Sequence, residues 1–449
     1  MKKIIIQVCI ILLLLVALGG LLWYAFKSDN NNISNSADGQ MQGGPGGMGG
    51  GAQSSDSVTT TGATEVTNEQ TLNSTYETST ADESAIKVSD GGNATIDGAT
   101  INKSGGDSSN TENSEFYGVN AGVLTTKGST TTIKNSTITT NAKGANAVFA
   151  TGEDAKVYVS NTTIKTTGSS SSRGLDATYS GYIEADNVTI TTQGGSCATL
   201  ATDRGEGTVI AKNSKLETNG SGSPIIYSTG NISISNTTGT SNGSQMVVIE
   251  GKNTATVEDS TLICSGKGNR GDTDQCGIMI YQSMSGDASE GTGTFTAKNS
   301  SLTISESSDY YKTAPMFFST NTDGVINLTN TKLSYGSNVL LSIKGTSEWG
   351  NSGSNGANIE LNATNQELAG NIEVDNISTL TMNLTNSSSY MGTINSENSA
   401  KNITLKLDTS SKITLTGDSY VTSLEDSDSS YSNINFNGYK LYVNGTAIN

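Results

Sequence analysis

From residue 131 the chain alternates apolar and polar positions, breaks the alternation at an asparagine, and starts again. The segments 131–138, 157–164, 183–190 and 209–216 carry the break at Asn135, Asn161, Asn187 and Asn213, a constant step of 26 residues. Two positions before each asparagine stand Ile133, Val159, Ala185 and Ala211. Four before stand Thr131, Val157, Ile183 and Val209, and three after stand Ile138, Ile164, Ile190 and Leu216. Such alternation marks a strand with one buried face. Asparagine tolerates left-handed backbone and bonds its own turn, so it marks a bend between two strands. Strand, bend, strand at a fixed step predicts stacked coils.

The pattern continues with looser spacing. Asn236, Asp259, Asn299 and Asn330 fill the same slot at intervals of 23, 23, 40 and 31 residues, and longer intervals imply loops inserted into a coil. Gly239 departs from the aliphatic pattern. Each coil has a second apolar run, at 146–151, 224–227, 246–249, 277–280, 315–318 and 339–341. Pro224 and Pro315 head two of these runs, where a strand needs no N–H from its first residue. After residue 357 the alternation persists at 358–361, 372–374, 380–384, 403–407 and 413–415, as narrower coils. Residues 433–445 read as a hairpin-like cap, which an open solenoid end requires. The fold class expected is all-β, a parallel β-helix over residues 85–449. About fourteen coils at about 4.8 Å each would make a rod of about 65–70 Å.

Composition fits a thin prism. Hydrophobic residues make up 33 % of the chain and aromatics 6 %, too few for a thick globular core. Disorder favours similar composition but lacks phased aliphatics. Residues 28–84, with the glycine tract at 43–51 and an acidic Ser/Thr stretch, read as a flexible linker. Residues 4–26 are an uncharged run of 23, enough to cross a bilayer. No Ala-x-Ala site follows and Cys9 lies too early for a lipid-modified cysteine, which favours an uncleaved anchor over a cleaved signal peptide. Lys2 and Lys3 outweigh Lys27, which leaves the remainder outside the cytoplasm; with cleavage it would be secreted.

Past residue 27 there are 22 basic against 42 acidic residues, a net charge of −20. That disfavours nucleic acid and anionic headgroups and admits cations or neutral glycans. The cysteines outside the apolar run are Cys197, Cys264 and Cys276. A Cys264–Cys276 bridge and buried free thiols are both open.

With no histidine in the chain, the usual triads, histidine acid–base work and histidine zinc sites are excluded. Of the polygalacturonase motifs only Asn321, Thr322 and Asp323 match, and those read as a turn. Arginine occurs only at 173, 204 and 270, and no acidic cluster flanks a strand run, so no catalytic residue is assigned. Asp203, Arg204 and Glu206, and Asp272 with Asp274, are two acidic loops with oxygen ligands for calcium but no calcium-loop signature. Arg270, Gly271 and Asp272 spell an integrin tripeptide that chance also supplies. Aromatics gather at Tyr310, Tyr311, Phe317, Phe318, Tyr335 and Trp349. Tyr310, Tyr311 and Trp349 are the candidate glycan-stacking residues, since such rings pair an apolar face with a polar tip.

The phased Asn-Ser/Thr turns, the glycine-rich tether, the anchored amino terminus and the segments 280–287, 353–357 and 434–438 carry a resemblance. From about residue 85 on, the chain resembles adhesin-like surface proteins with right-handed parallel β-helix repeats from anaerobic, Gram-positive gut-type bacteria. The resemblance implies a pectin-lyase-like fold and an adhesive or glycan-facing role, with a glycan or cell-surface partner. It supplies no catalytic residue. The chain lacks the Leu-Pro-x-Thr-Gly signal of cell-wall-sorted adhesins. The expected function is a membrane-anchored, non-catalytic surface protein, an adhesin or a carbohydrate-binding one. A polysaccharide lyase or hydrolase and a structural spacer are the alternatives.

Overall fold

A computed structural model describes residues 57–449. In the regular part of the chain each coil delivers one strand to each of three parallel sheets. The first sheet has 12 strands, from Thr61–Val66 to Asn371–Val374. The second has 14, from Glu69–Leu72 to Ser423–Asp426, and the third has 10, from Thr75–Thr78 to Lys332–Ser334. This is the expected parallel β-helix. Val157 lies between Thr131 and Ile183, and Ile164 between Ile138 and Ile190, so the 26-residue step is the strand register itself. Side chains of like size therefore stack along the interior, isoleucine on isoleucine at 138, 164 and 190, and each buried aliphatic contributes about 1.5–3 kcal/mol.

The bends are left-handed at the anticipated positions, with φ of 51° at Asn135, 47° at Asn161, 53° at Asn187 and 52° at Asn213. Asn236, Asp259, Asn299 and Asn330 adopt the same conformation. The side chains form a ladder: Asn187 Nδ2 donates to Asn161 Oδ1 at 2.8 Å, and Asn236 Nδ2 to Asn213 Oδ1 at 2.7 Å. The hydroxyl after the asparagine makes a second ladder. Ser214 Oγ donates to Lys212 O at 2.6 Å and accepts from Val188 N of the preceding coil at 3.2 Å. A third runs inside, where Thr140, Thr166, Thr192 and Thr218 each donate to a loop carbonyl of their own coil at 2.5–2.7 Å. These satisfied hydroxyls explain how a chain so poor in aliphatics closes an interior.

The departures have local causes. Opposite Leu216 and Leu262, Gly239 leaves room that its neighbours fill; a Cβ there would lie 2.7 Å from Leu262 Cδ2 and 2.9 Å from Ile225 Cδ1. The expected linker over 28–84 ends too late. Strands Thr61–Val66, Glu69–Leu72 and Thr75–Thr78 already form a complete coil, so the helix starts well before residue 85. That coil escapes pattern reading because its fully buried aliphatics are only Val66 and Leu72, amid Thr, Glu and Ser. The apolar run 4–26 lies outside the described residues. Among those described, no helix is long and apolar enough to cross a membrane.

At the carboxyl end a four-stranded sheet, Glu367–Ala369 to Ile434–Asn435, takes the third slot of each coil. The expected hairpin is present but later: Leu441–Val443 pairs antiparallel with Thr446–Ala447 across Asn444 and Gly445, both at positive φ. Ile434 instead pairs parallel with Ile413. The cysteine question resolves to free thiols, since Cys197, Cys264 and Cys276 are all buried and unbridged. Burial pushes the Cys197 and Cys264 thiols up to about 12.

Asn161→Ala, which must hold a left-handed backbone without the ladder, should cost about 1–2 kcal/mol, and Asn161→Gly less. Ile164→Ala should cost about 2–5 kcal/mol. Urea midpoints check both, and alkylation should reach the three thiols only after unfolding.

Candidate functional site

The 40-residue interval between Asp259 and Asn299, and the loop after strand Ser301–Ile304, build an open cleft over the third sheet. Its volume is about 440 Å³. The floor is the outer face of two rungs, with Thr240 and Ile263 opposite each other in register. Ile263 is 36 % exposed, one of few large apolar side chains turned to solvent. Asn242, Ser265 and Lys267 form the near wall. The far wall is the turn carrying Ser305, Ser307, Ser308, Asp309 and Tyr310.

The turn is fixed by its own hydrogen bonds. Ser308 N donates to Ser305 O at 3.0 Å, and Ala314 N to Tyr310 O at 2.9 Å. Ser308 Oγ ties it to the rung below by donating to Ser265 O at 2.5 Å. Asn242 is fixed by its Nδ2, which donates to Asn219 Oδ1 at 2.6 Å. Tyr310 packs half-buried on the core and presents its remainder to the cleft. The cleft thus offers many hydroxyls, one amide, one cation, one carboxylate and two apolar surfaces.

The structure separates the three expected stacking residues. Tyr310 lines the cleft. Tyr311 is half-buried beside it, with Lys312 Nζ 5.0 Å from its ring centroid. Trp349 is not an exposed platform. It is 8 % exposed and packs with Val248, Cys276, Met279 and Phe318, its ring edge-on to Tyr281 with centroids 5.3 Å apart. Asn355 Nδ2 folds that loop inward by donating to Trp349 O and Thr346 O, both at 2.6 Å. The matched Asn321 and Asp323 serve structure: Asn321 is a left-handed turn, and Asp323 Oδ1 accepts from Asn358 Nδ2 at 2.7 Å.

Neither acidic loop assembles a cation cage. Asp274 accepts from the backbone N–H groups of Asn269 and Arg270 at 2.9 and 2.7 Å, which shapes the turn around the Arg270–Asp272 tripeptide. Asp203 faces Arg173. Among the described residues no group of three or more metal-ligating side chains gathers.

Sequence reasoning missed the cluster around Arg173 on the outer face of the first sheet. Its Nη1 donates to Asp176 Oδ2 at 2.8 Å and to Asp203 Oδ2 at 2.7 Å, and its Nη2 lies 3.6 Å from Glu115 Oε1. Glu115 comes from helix α1, Thr111–Tyr117, capped by the Asn110 side chain, so the cluster clamps that helix to the sheet. Burial pushes Asp203 well above the ordinary carboxylate range; Arg173 pulls it back only in part, and Asp176 and Glu115 repel it. Burial likewise raises Asp176 against the pull of Arg173. The one available signal was the scarcity of arginine. Arg204 also pairs, with Asp287 at 2.6 Å, and Arg270 lies 3.8 Å from Glu348.

A stacked three-sheet solenoid with loops inserted on its faces is the class these features define. Consistent with it, residues 121–291 match the family model described as right handed beta helix region. No curated protein and no solved structure matches the chain.

Removing Arg173 strands buried carboxylates, so Arg173→Ala should cost about 3–5 kcal/mol. Because Asp203 titrates higher folded than unfolded, the stability it contributes is present below its unfolded pKa and is lost as pH rises through the folded one. Asp203→Asn should therefore flatten the fall in stability from acidic to neutral pH, read as urea midpoints across that range.

Proposed function

We propose that the chain is a membrane-tethered surface protein that binds carbohydrate without turning it over, and that the third-sheet cleft is its binding site. The observation that carries this reading is the cleft's lining. Sugars present ring hydroxyls on their edges and C–H groups on their faces. The serine and threonine hydroxyls, Asn242, Lys267 and Asp309 suit the edges, and Tyr310 with Ile263 suits a face. The membrane anchor is residues 4–26, by sequence alone. The acidic surface supports a neutral or zwitterionic glycan over a polyanion. The fold is shared by enzymes and binding proteins, so the site and not the fold supports this role.

A glycan array probed with the chain should show saturable binding and no release of reducing ends. Tyr310→Ala and Lys267→Ala should each weaken it at least about tenfold, a loss of about 1.4 kcal/mol. Reducing-end release would favour a polysaccharide-active enzyme. No binding across the array would leave a structural spacer.

A further inference from the structure

The outer face of the first sheet carries a second feature, beyond the Arg173 cluster and on a different face from the cleft. Strand pairing sets Glu250, Tyr281 and Thr320 at one outward position on three successive rungs, and Thr229 directly follows the strand Ile226–Ser228 on the rung before Glu250. Glu250 Oε2 accepts from Tyr227 OH at 2.9 Å and from Tyr281 OH at 2.8 Å. Its Oε1 makes no hydrogen bond, the Ser283 hydroxyl close by being bonded to Ser285 Oγ at 2.7 Å, and Thr229 Oγ1, Thr320 Oγ1 and Gln282 Oε1 of the adjoining residue make none either. Glu250 is 1 % exposed. Buried polar atoms are nearly always paired, so four bare oxygens along one strip mark a place where a partner belongs.

The strip has a cover. Residues 282–291 leave strand Ile278–Tyr281 and reach back over earlier coils. Asp287 Oδ1 meets Arg204 Nη2 at 2.6 Å, and Ser289 Oγ meets Glu206 Oε1 at 3.2 Å, both across 83 residues of sequence. Lys252 Nζ adds a pair with Glu206 at 2.8 Å, and Lys252 N donates to Ser289 O at 3.0 Å. Little of this is apolar: Met284 of the same segment is 63 % exposed. A segment held by partly exposed ion pairs separates from its seat more readily than one held by a core, and does so more in salt.

We propose that the strip is a binding site for the ammonium group of an amino sugar, with residues 282–291 as its lid. The bare atoms are two acceptors and two hydroxyls, which suits a ligand that donates hydrogen bonds. The single ionisable group among them is a carboxylate, which calls for a cation. Tyr281 carries Trp349 edge-on at 5.3 Å, so aromatic rings adjoin the carboxylate as they do in ammonium sites. Burial pushes the Glu250 carboxyl above its ordinary range, and the hydroxyls of Ser283, Tyr281 and Tyr227 offset this only in part. An ammonium alongside would restore the carboxylate.

The reporter is built in. The chain has two tryptophans, so Trp23→Phe leaves Trp349 as the sole one in the full-length protein. D-glucosamine titrated into this protein should change Trp349 emission saturably, and N-acetyl-D-glucosamine should not. Glu250→Gln should weaken the response at least about tenfold with unchanged circular dichroism. Asp287→Asn, which loosens the lid, should speed association. An equal response to both sugars would overturn the proposal, as would no response to either, which would mean that the strip holds water only. If Glu250→Gln fails to fold, an association rate in Asp287→Asn equal to that of the parent overturns the lid.

Discussion

Every feature of this protein depends on one contact, repeated: a parallel strand laid on its counterpart from the previous coil, one strand spacing away. That contact satisfies the backbone and stacks like side chains on like. Each coil is too thin to hold a core by itself, and burial becomes complete only through its neighbours. Three polar ladders run parallel to the aliphatic one. They turn the many Asn, Ser and Thr residues from a burden on burial into paired groups, as where Ser214 Oγ both donates to Lys212 O and accepts from Val188 N.

The regular part of the solenoid supplies rigidity and the inserted loops supply individuality. Both candidate sites arise where a coil is lengthened. The turn bearing Tyr310 rises from the end of a third-sheet strand to wall a cleft. Residues 282–291 rise from the end of a first-sheet strand to cover Glu250. In each case the floor is an outward position of a rigid sheet and the wall is a loop tied by a few polar bonds. Helix α1 is a third insertion, clamped through Glu115 to the buried Arg173. Precision in the floor and freedom in the wall is a division of labour that suits recognition.

Much of the fold was legible because its constraint is local. Asn161 announces a left-handed bend by residue type, and Val157, Val159 and Ile164 announce a buried face by spacing. The first coil was not legible, since threonine and glutamate at Thr61–Val66 and Glu69–Leu72 carry no such contrast. The sites were harder still, being made by residues that only winding brings together. Arg173 meets Glu115 and Asp203, far apart along the chain. Tyr310 and Trp349 looked like neighbours, yet one borders a cleft on the third sheet and the other belongs to a loop that packs it on the outer face of the first. Side-chain direction in a solenoid follows from rung and sheet, and aromatic residues in loops carry neither label.

The most direct measurement is of the register. Lys165 and Thr191 are outward-facing partners on adjacent rungs of the third sheet, and Glu217 lies one rung further. Adjacent rungs place Cα atoms within the roughly 4.4–6.8 Å that a disulfide spans. Lys165→Cys with Thr191→Cys should form an intramolecular bridge under mild oxidation, read by mass. Lys165→Cys with Glu217→Cys, two rungs apart, should not. Failure of the first pair, or equal bridging of both, would contradict a coil of 26 residues and everything placed upon it.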